Sequence, residues 1–394
     1  MVGVVVNVQC LAPPLTGVGR YTFEILRMLA QSPCVESLHC FSEWSFYRPE
    51  QVLRNARDGD PARGGASALP AGTGSRLRGV VRAIPGAYPL RCEIRNMAFR
   101  LRAKALSGCV YHEPNYVLRP FSGPRVVTVH DVSHMRHPAF HPASRVRYLE
   151  KRLPASLAEA DRVITVSGFS KRELVDTLGI APEKIAVTPL GVDAAFIPRT
   201  ARETASFLES VGLAHGRYLL AVGTIEPRKN LFRLLRAYAD LPPALRDRFP
   251  MVLAGAPGWG PPLDKGLVSA LEAAGHLRNL GYVPGGDLPL LYAGAGGFVF
   301  PSLYEGFGLP PLEAMACGVP ALVSNAASMP EVAGSAALLA DPLDTADIRR
   351  NLERLLTDDR FRARAAQAGP ARAAGFSWRA CAEKTIGVYY RVSG

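Results

Sequence analysis

The sequence has little that would indicate a membrane-spanning, disulfide-stabilised or zinc-binding protein. No apolar run in its 394 residues reaches the roughly 18 residues that a transmembrane helix needs. Its seven cysteines are scattered and odd in number, and none forms a Cys-x-x-Cys pair, so we expect reduced thiols and no zinc site. The apolar stretch at residues 2–8 lacks the flanks of a signal peptide and indicates a first core strand. These absences predict a cytoplasmic protein.

Two further classes of protein are excluded by what is missing. The sequence has no Gly-x-x-x-x-Gly-Lys-Ser/Thr motif, so it does not predict a P-loop ATPase. With 48% hydrophobic and 20% charged residues it is neither disordered nor fibrous, and its length predicts two or three domains.

Acidic residues are scarce compared with basic ones: 34 Asp and Glu stand against 46 Lys and Arg, which leaves a formal net charge of +12. This surplus predicts an anionic partner: nucleic acid, an acidic membrane surface or a phosphorylated substrate.

The positive charge is concentrated in residues 76–104. Glu93 is the single acid of this segment, against eight basic residues: Arg76, Arg78, Arg82, Arg91, Arg95, Arg100, Arg102 and Lys104. Apolar residues are interleaved with them: Leu77, Val80, Val81, Ile84, Ile94, Met97, Phe99 and Leu101. The pattern fits either a segment that binds an anionic membrane surface or a solvated helix pair that covers the sheet.

The preceding segment, residues 51–75, is rich in Ala, Gly, Arg and Pro and has little periodicity, so we expect a mobile loop. It contains Asp58 and Asp60 in an Asp-x-Asp pattern. Some metal-dependent enzymes place this pattern after a strand to hold a divalent ion. No apolar run precedes it here, so we expect no metal site at these aspartates.

Strand-like runs alternate with helical periodicity along the rest of the chain. β-branched runs at residues 4–8, 125–129, 162–166 and 185–188 form one series. A second series follows at residues 218–222, 251–254, 280–283, 298–300 and 321–323. Residues 191–216 lie between the two series and have no strand pattern. The alternation predicts two α/β domains with parallel sheets, whose ligands bind beyond the carboxyl ends of the strands. Two such sets of loops would face each other across a cleft.

Polar residues predict where several helices begin. Ser170 and Glu173 form a Ser-x-x-Glu capping box, and Asn230 and Ser377 are candidate N-caps. One early helix has an apolar face: Tyr21, Ile25, Met28 and Leu29. The last helix has another: Trp378, Cys381, Ala382, Thr385, Ile386 and Tyr389.

Residues 301–320 are the most informative stretch. The loop after a predicted strand carries Glu305, Gly306 and Gly308, and the prolines that follow suit the first turn of a helix, in which Glu313 would fall. Glycines let backbone N–H groups approach a ligand closely, and a helix N-terminus favours an anion such as a diphosphate. Carboxylates accept hydrogen bonds from sugar hydroxyls. A glutamate that merely caps a turn is the alternative.

A second loop combines glycine with basic residues. Gly223 follows the run at 218–222, and Arg228 and Lys229 precede Asn230. Arginine offers a bidentate fork and lysine a point charge, and beside a glycine they favour the binding of a phosphate group. The alternative is a pair of exposed basic residues ahead of a helix.

Four histidines follow the run at residues 125–129: His130, His134, His137 and His141. Their spacing matches no metal-binding motif, so we expect no metal site. Asp131 is interpreted as a turn or acceptor contact rather than as a general base.

Together these motifs resemble those of the retaining family 4 glycosyltransferases of the GT-B fold. Glu305 and Glu313 stand in an E-G-F-G-L-P-x-x-E-A-M-A-x-G-x-P context, and T-G-V-G-R-Y, V-H-D, P-L-G-V-D and V-G-T-I-E-P-R-K-N occur in the family's order. The resemblance covers nearly the whole chain. It implies two facing Rossmann-like domains, residues 1–198 for the acceptor and 199–375 for the donor. A C-terminal helix in residues 376–394 would cross back onto the first domain.

The resemblance also implies site roles. Arg228 and Lys229 would contact a donor diphosphate, Glu305 the donor sugar, Glu313 the ribose, and His130 would lie near the reacting carbon. The implied catalytic residues are His130, Arg228, Lys229 and Glu305. The implied donor-binding residues are Gly17, Gly223, Arg228, Lys229, Tyr282, Val283, Glu305, Gly306, Phe307, Gly308, Leu309 and Glu313. Gly17 would approach the phosphates or the acceptor, and the strand end at Tyr282 and Val283 would meet the nucleobase.

The implied activity is metal-independent, cofactor-free transfer of a hexose with retention of configuration. The T-V-H-D and E-P-R-K-N forms and the loop at 325–331 resemble bacterial mannosyltransferases, which implies GDP-mannose as the donor. The acceptor would be a saccharide, with a polyprenyl diphosphate carrier at the inner face of the membrane as a candidate. GDP-rhamnose or UDP-glucose remain alternative donors. Two different classes of protein also stay open, a nucleotide-sugar 2-epimerase and a nucleic-acid-binding protein, although the basic segment lacks an aromatic stacking array.

Overall fold

The computed structural model describes residues 1–11, 15–58 and 87–394, which form two sheets. The seven strands of the first sheet are β1 Val2–Asn7, β2 Val35–Ser42, β3 Ser45–Tyr47, β4 Val110–Glu113, β5 Arg125–Thr128, β6 Arg162–Thr165 and β7 Ile185–Val187. They lie in the order β3-β2-β1-β4-β5-β6-β7, and β3 pairs antiparallel with β2 while the other pairs are parallel.

The second sheet is parallel throughout its described pairs. Its six strands are β8 Leu219–Val222, β9 Met251–Ala254, β10 Leu277–Gly281, β11 Gly297–Phe300, β12 Ala321–Ser324 and β13 Leu338–Ala340. They lie in the order β10-β9-β8-β11-β12-β13. Parallel neighbours cannot be joined by a tight hairpin and require crossover connections, which the helices supply.

Helices connect these strands and cover the sheets. In the first half of the described chain they are α1 Gly17–Ala30, α2 Pro49–Asp58, α3 Ala87–Arg102, α4 Ser133–Arg136, α5 Ala143–Glu159 and α6 Gly168–Leu178. In the second half they are α7 Ala201–Ser210, α8 Leu231–Ala239, α9 Pro243–Arg248, α10 Lys265–Ala273, α11 Leu288–Ala293, α12 Leu309–Ala316, α13 Met329–Ala333, α14 Thr345–Thr357, α15 Asp359–Ala374 and α16 Trp378–Ser393.

Strand β1 shows why the first sheet needs helices on both faces. Val4, Val5 and Val6 are all buried. Because successive side chains of a strand point to opposite faces, Val4 and Val6 join the apolar cluster that contains Ile25 of α1. Val5 joins a separate cluster with Phe99 of α3. A parallel sheet of this kind therefore lies between two layers of helices.

The C-terminal helix crosses back onto the first domain. Helix α16 packs against α1 and against strands β1, β4 and β6. Ser377 caps it by accepting a hydrogen bond from the backbone N–H of Ala380, and its predicted apolar face is buried. The Tyr389 hydroxyl lies 2.7 Å from Nδ1 of His112 inside the first sheet. The predicted two-domain α/β fold with a returning helix is confirmed.

Two local predictions in the first domain are wrong. Residues 51–58 belong to helix α2 and not to a loop, since Val52 and Ala56, four residues apart, bury one face of it. Helix α6 is capped by Ser167, whose hydroxyl accepts from the backbone N–H of Ser170. Ser170 therefore lies inside the first turn and does not cap the helix.

Two further differences concern the second half of the chain. Strand β10 spans Leu277–Gly281 instead of residues 280–283, so Tyr282 follows the strand. The crossing at residues 191–216 contains helix α7, which starts with a capping box between Thr200 and Glu203. The domain boundaries at residues 198 and 375 stay predictions.

Helix α3 carries the described part of the basic segment. Phe99 packs on Phe41 of the first sheet, with ring centroids 4.6 Å apart, while the side chains of Ile94, Met97 and Leu101 are 44%, 59% and 71% exposed. Residues 59–86, which include Asp60 and most of the predicted loop, lie outside the described residues, as do Arg76, Arg78 and Arg82. Among the described helices none is long and apolar enough to cross a membrane.

Candidate active site

Two loops of the second domain meet at the carboxyl ends of β8 and β11. The loop after β8 ends in a 3₁₀ turn, Pro227–Lys229, and then in Asn230, which has the left-handed φ of 59°. Nδ2 of Asn230 donates to the carbonyl oxygens of Pro301 at 3.0 Å and Pro342 at 2.7 Å. Asn230 thus occupies the predicted cap position of α8, but its side chain ties this loop to those that follow β11 and β13 instead of capping the helix.

Arg228 and Lys229 converge on Glu305. Nη1 of Arg228 lies 3.0 Å from Oε2 of Glu305, and Nζ of Lys229 lies 2.7 Å from Oε1. The other edge of the guanidinium donates to Oε1 of Glu226 at 3.0 and 2.7 Å. Oδ2 of Asp131, from the first domain, lies 3.7 Å from Nη1. Two largely buried cations are therefore surrounded by three carboxylates.

Mutual attraction keeps this cluster ionised. Burial disfavours the charged carboxyl of Glu305, but Arg228 and Lys229 outweigh burial and hold the pKa of Glu305 below its ordinary value. Burial likewise disfavours the charged carboxyl of Asp131, but attraction to Arg228 and hydrogen bonds from Ser133 outweigh it and lower the pKa of Asp131 to about 2. Burial lowers the pKa of Lys229, and Glu305 partly offsets that effect. Each buried charge thus depends on its partners for compensation.

Residues 305–308 are held in place by Ser328. Its hydroxyl lies 2.9 Å from the carbonyl oxygen of Glu305 and 2.8 Å from that of Phe307. Gly308 has a φ of 109°, and a Cβ at this position would collide with Met329. Helix α12 begins at Leu309, so the backbone N–H groups of its first turn lie next to this loop.

Glu313 lies in the second turn of α12 and not in the first turn as predicted. It is 6% exposed, and burial raises its pKa, an effect that Arg20 of helix α1 partly offsets. Glu313 therefore faces a residue of the first domain. Gly17, one turn before Arg20, is exposed at the start of α1, and a Cβ added to it would have no atom within 4 Å.

His130 faces this loop from the first domain. Its Nε2 lies 2.9 Å from the carbonyl oxygen of Pro114, which can only accept, so Nε2 carries the proton and Nδ1 is an acceptor. The ring meets Tyr21 edge to face with centroids 4.9 Å apart. Burial lowers the pKa of His130, so the neutral imidazole is favoured.

The two domains touch at His130 and Gly306. A Cβ on Gly306 would collide with the carbonyl oxygen of His130. The Ser170 hydroxyl lies 3.0 Å from that oxygen and 3.2 Å from the carbonyl oxygen of Gly306. Ser167 donates to the Gly306 carbonyl oxygen at 2.6 Å. The N-terminus of α6 thus anchors both sides of the cleft.

The structure places Tyr282 and Val283 apart from the charged cluster. They line a cavity of about 600 Å³ together with Phe207 of α7 and Asp287, and no charged member of the Arg228 cluster lines it. Gly223, with a φ of 147°, packs against the side chain of Lys229. The structure therefore brings Gly223, the two cations, the loop at 305–308 and His130 together.

Three residues of this region are missed by sequence reasoning. Glu226 stands two residues before Arg228 in the same motif, and an acidic residue so close to a basic one indicates that the two side chains can pair. Tyr304 donates from its hydroxyl to Glu173 of α6 at 3.3 Å, and Ser328 spans the loop carbonyls. The sequence around Tyr304 and Ser328 has no local pattern that indicates these hydrogen bonds.

The described residues contain no group of His, Cys, Asp or Glu arranged to hold a metal ion. Nε2 of His141 lies 2.9 Å from Oγ of Ser133, and His137 stacks on Phe140. Asp131 accepts from the backbone and hydroxyl of Ser133 at 3.0 and 2.7 Å, in keeping with the turn interpretation.

Two facing α/β domains with a returning helix form the GT-B fold, and solved structures share this fold. Sucrose-phosphate synthase from Thermosynechococcus elongatus matches with a TM-score of 0.73 over 99% of each chain, at 19% identity. WaaG, a glycosyltransferase involved in lipopolysaccharide biosynthesis, matches with a TM-score of 0.70 over 99% of each chain, at 15% identity.

Sequence comparison then gives the family. Residues 15–196 match the model for Glycosyltransferase Family 4, and residues 209–372 match the model for Glycosyl transferases group 1. O-antigen chain mannosyltransferase B from Escherichia coli is 41% identical over 379 residues, which are 95% of this chain and 96% of that protein. The chain belongs to the family 4 glycosyltransferases and is a hexosyltransferase. The epimerase and nucleic-acid-binding hypotheses give way to this assignment.

Proposed function

We propose that the protein is a retaining, metal-independent mannosyltransferase that moves mannose from GDP-mannose to a saccharide acceptor in surface polysaccharide synthesis. The observation that carries this proposal is the convergence of Arg228 and Lys229 on Glu305 beside His130. The E. coli relative, named as an O-antigen chain mannosyltransferase, favours mannose over rhamnose or glucose as the transferred sugar.

The cluster would receive the donor by an exchange of partners. A diphosphate would compete with Glu305 for Arg228 and Lys229, and the freed carboxylate would accept hydrogen bonds from sugar hydroxyls. Because Glu226 and Asp131 also face Arg228, the two cations do not outnumber the carboxylates. Additional attraction for the diphosphate would come from backbone N–H groups of residues 306–308 and the N-terminus of α12.

Retention of configuration would follow from attack on the face that the diphosphate leaves. The acceptor oxygen forms a bond to the anomeric carbon as the carbon–oxygen bond to phosphate breaks. Asp131, with a pKa of about 2, is a weak base, and burial lowers the pKa of His130, which weakens its imidazole as a base. The departing phosphate oxygen would therefore take the acceptor's proton, while Arg228 and Lys229 stabilise its charge.

The donor is tested by thermal shift and by transfer assays with labelled nucleotide sugars. A ligand at 100 times its Kd adds about 2.7 kcal/mol to the free energy of unfolding, so the true donor should raise Tm clearly. We expect GDP-mannose to do so more than GDP-rhamnose or UDP-glucose, with EDTA leaving the transfer rate unchanged. A Tm shift with UDP-glucose alone, or a product of inverted configuration, would contradict the proposal.

We also infer that helix α3 binds an anionic membrane surface at the cytoplasmic face, where a polyprenyl diphosphate would carry the acceptor. Ile94, Met97 and Leu101 are spaced three and four residues apart and form one exposed apolar stripe. Arg100 and Arg102 are exposed on the same helix. Exposed apolar residues among basic ones are typical of helices that lie in the membrane interface.

Vesicle flotation tests the membrane proposal. The protein should float with phosphatidylserine vesicles at low salt, less at high salt, and little with neutral vesicles, because ions screen the attraction. Met97→Ser and Leu101→Ser should weaken flotation. Leu343→Ser, at a position 66% exposed in the other domain, is the matched control. Salt-insensitive flotation that survives both α3 substitutions would exclude this surface.

A further inference from the structure

Trp259 lies in the loop after β9, residues 255–260, and reaches across to the first domain. Its Nε1–H donates to the carbonyl oxygen of Phe140 at 2.6 Å. Its ring lies beside that of His141, with centroids 6.3 Å apart and planes inclined by 34°. Phe140 and His141 stand about ten residues after His130 in the same stretch of chain. Trp259 therefore joins the second domain to the part of the first domain that faces the charged cluster.

The loop that carries Trp259 is bonded along the loop that carries Arg228. The backbone N–H of Ile225 donates to the carbonyl oxygen of Ala256 at 3.1 Å. The backbone N–H of Gly258 donates in turn to the carbonyl oxygen of Ile225, also at 3.1 Å. Backbone hydrogen bonds in both directions fix the position of one loop against the other.

A glycine brings these two loops into close contact. Gly260 has a left-handed φ of 104°, and a Cβ at this position would collide with the ring of Pro227. Pro227 begins the 3₁₀ turn that ends at Lys229. The residue next to Trp259 therefore packs directly on the turn that presents the two cations.

The same stretch of the first domain also contacts the loop that carries Glu305. His137 stacks on Phe140, and it meets Tyr304 edge to face with ring centroids 5.3 Å apart. Tyr304 is buried and directly precedes Glu305. Residues 137–141 thus hold the cations' loop through Trp259 and the carboxylate's loop through Tyr304.

We propose that Trp259 is a positioning residue for the nucleotide-sugar donor, because it fixes Arg228 and Lys229 relative to the first domain. Both cations bond to Glu305, and a diphosphate takes the place of that carboxylate. The hydrogen bond of Trp259 does not involve Glu305, so it persists after the exchange. A loop that is already fixed loses less conformational freedom on binding, which raises affinity. This inference rests on the proposed function, since it concerns the loops that receive the donor.

Calorimetry with GDP and steady-state kinetics with GDP-mannose test the proposal on the full chain. Trp259→Phe keeps a ring but loses the N–H donor, so the GDP Kd and the donor KM should rise about threefold, as for the loss of one hydrogen bond. Trp259→Ala should raise both about tenfold, with a smaller change in kcat. Trp44→Ala, which removes a half-buried tryptophan of the first domain, is the control and should leave the GDP Kd unchanged.

A second variant disturbs the same contact with Trp259 in place. The methyl group of Gly260→Ala collides with Pro227, so the GDP Kd should again rise about tenfold. Gly275→Ala is the matched control. It also has a left-handed φ, of 71°, but its Cβ would meet no described atom within 4 Å, so the GDP Kd should stay that of the wild type.

A wild-type GDP Kd for folded Trp259→Phe and Gly260→Ala proteins would overturn the proposal, even if their Tm values are lower, because the role of Trp259 would then be structural only. These two variants decide the question if Trp259→Ala does not fold. Failure of the proposed function shows separately in the wild-type protein. If that protein binds UDP and not GDP, the proposed donor is wrong, and the same comparison with UDP decides the role of Trp259.

Discussion

The carboxylate of Glu331, in helix α13 of the second domain, accepts hydrogen bonds from the backbone N–H groups of Gly168 and Phe169 at 2.8 and 3.0 Å. These are the first two residues of helix α6 in the first domain. The N-terminus of a helix carries partial positive charge, so a carboxylate there is favourable. Together with the hydrogen bond from Ser167 to Gly306, this contact joins the two domains through polar groups, which a relative domain motion would separate.

Glu331→Ala should loosen the closed arrangement of the two domains. Removal of the carboxylate leaves two N–H groups of α6 to water, at a cost comparable to the loss of a cap, about 1 kcal/mol. We expect a larger radius of gyration by small-angle X-ray scattering and a higher KM for the donor. Glu331→Gln, which can still accept one bond, should be intermediate. Glu383→Ala, at an exposed pair with Arg379, should change neither quantity. An unchanged scattering profile for Glu331→Ala would show that this contact does not hold the two domains together.

Glu305 and Lys229 should be energetically coupled. Glu305→Ala leaves two buried cations without their shared partner, so the free energy of unfolding should fall by about 3–5 kcal/mol and sugar transfer should be lost. Lys229→Ala should also abolish transfer. The double variant should cost less stability than the sum of the two, because the second change removes a charge that the first left unpaired.

Urea denaturation of the two single variants and the double variant measures this coupling. Glu353→Ala, which breaks an exposed pair with Arg349, controls for the loss of any salt bridge and should cost well under 1 kcal/mol. Strictly additive effects of the Glu305 and Lys229 changes would mean that the ion pair contributes nothing to stability.

Substitution by alanine should affect stability at Gly306 and not at Gly17. Gly306→Ala places a methyl group against the carbonyl oxygen of His130, so we expect a lower Tm and a large loss of transfer activity. Gly17→Ala meets nothing within 4 Å and should keep the wild-type Tm. A raised donor or acceptor KM for Gly17→Ala would support the predicted substrate contact there. Equal Tm values for both variants would show that the domains do not pack closely at Gly306.

Glu113 should make stability depend on pH. Its folded-state pKa of about 7 lies above the ordinary value near 4.3, so its contribution to stability is fully present below about pH 4 and is lost as pH rises through 7. Glu113→Gln cannot ionise, so it should lose this dependence and gain stability relative to wild type above pH 7. The difference in urea-unfolding free energy between the two proteins, measured from pH 4 to pH 8, checks this. A flat difference would mean that Glu113 titrates normally.

The fold is largely predictable because its signals are local. Short β-branched or aromatic runs give β1, β6 and β11, and Ser377 marks the start of the returning helix α16. Strand β4 carries no such signal, since half of its four residues, His112 and Glu113, are polar. Tyr389 and Asn7, both far away in sequence, are among the partners that compensate the burial of these side chains. A partner that distant leaves no trace in the local pattern.

The chain's own motifs determined the class of protein and the residues of its donor loops, since glycine, arginine and glutamate at fixed spacing are needed wherever a backbone must approach a diphosphate. Only the tertiary structure decided how those residues are paired. It set Glu305 between Arg228 and Lys229, joined Glu331 to the helix at Gly168, and gathered arginines from α3, α5 and the loop after β4 around Glu113. Contacts of this kind join elements distant in sequence, and the energies that select them arise from burial and charge compensation in the folded chain.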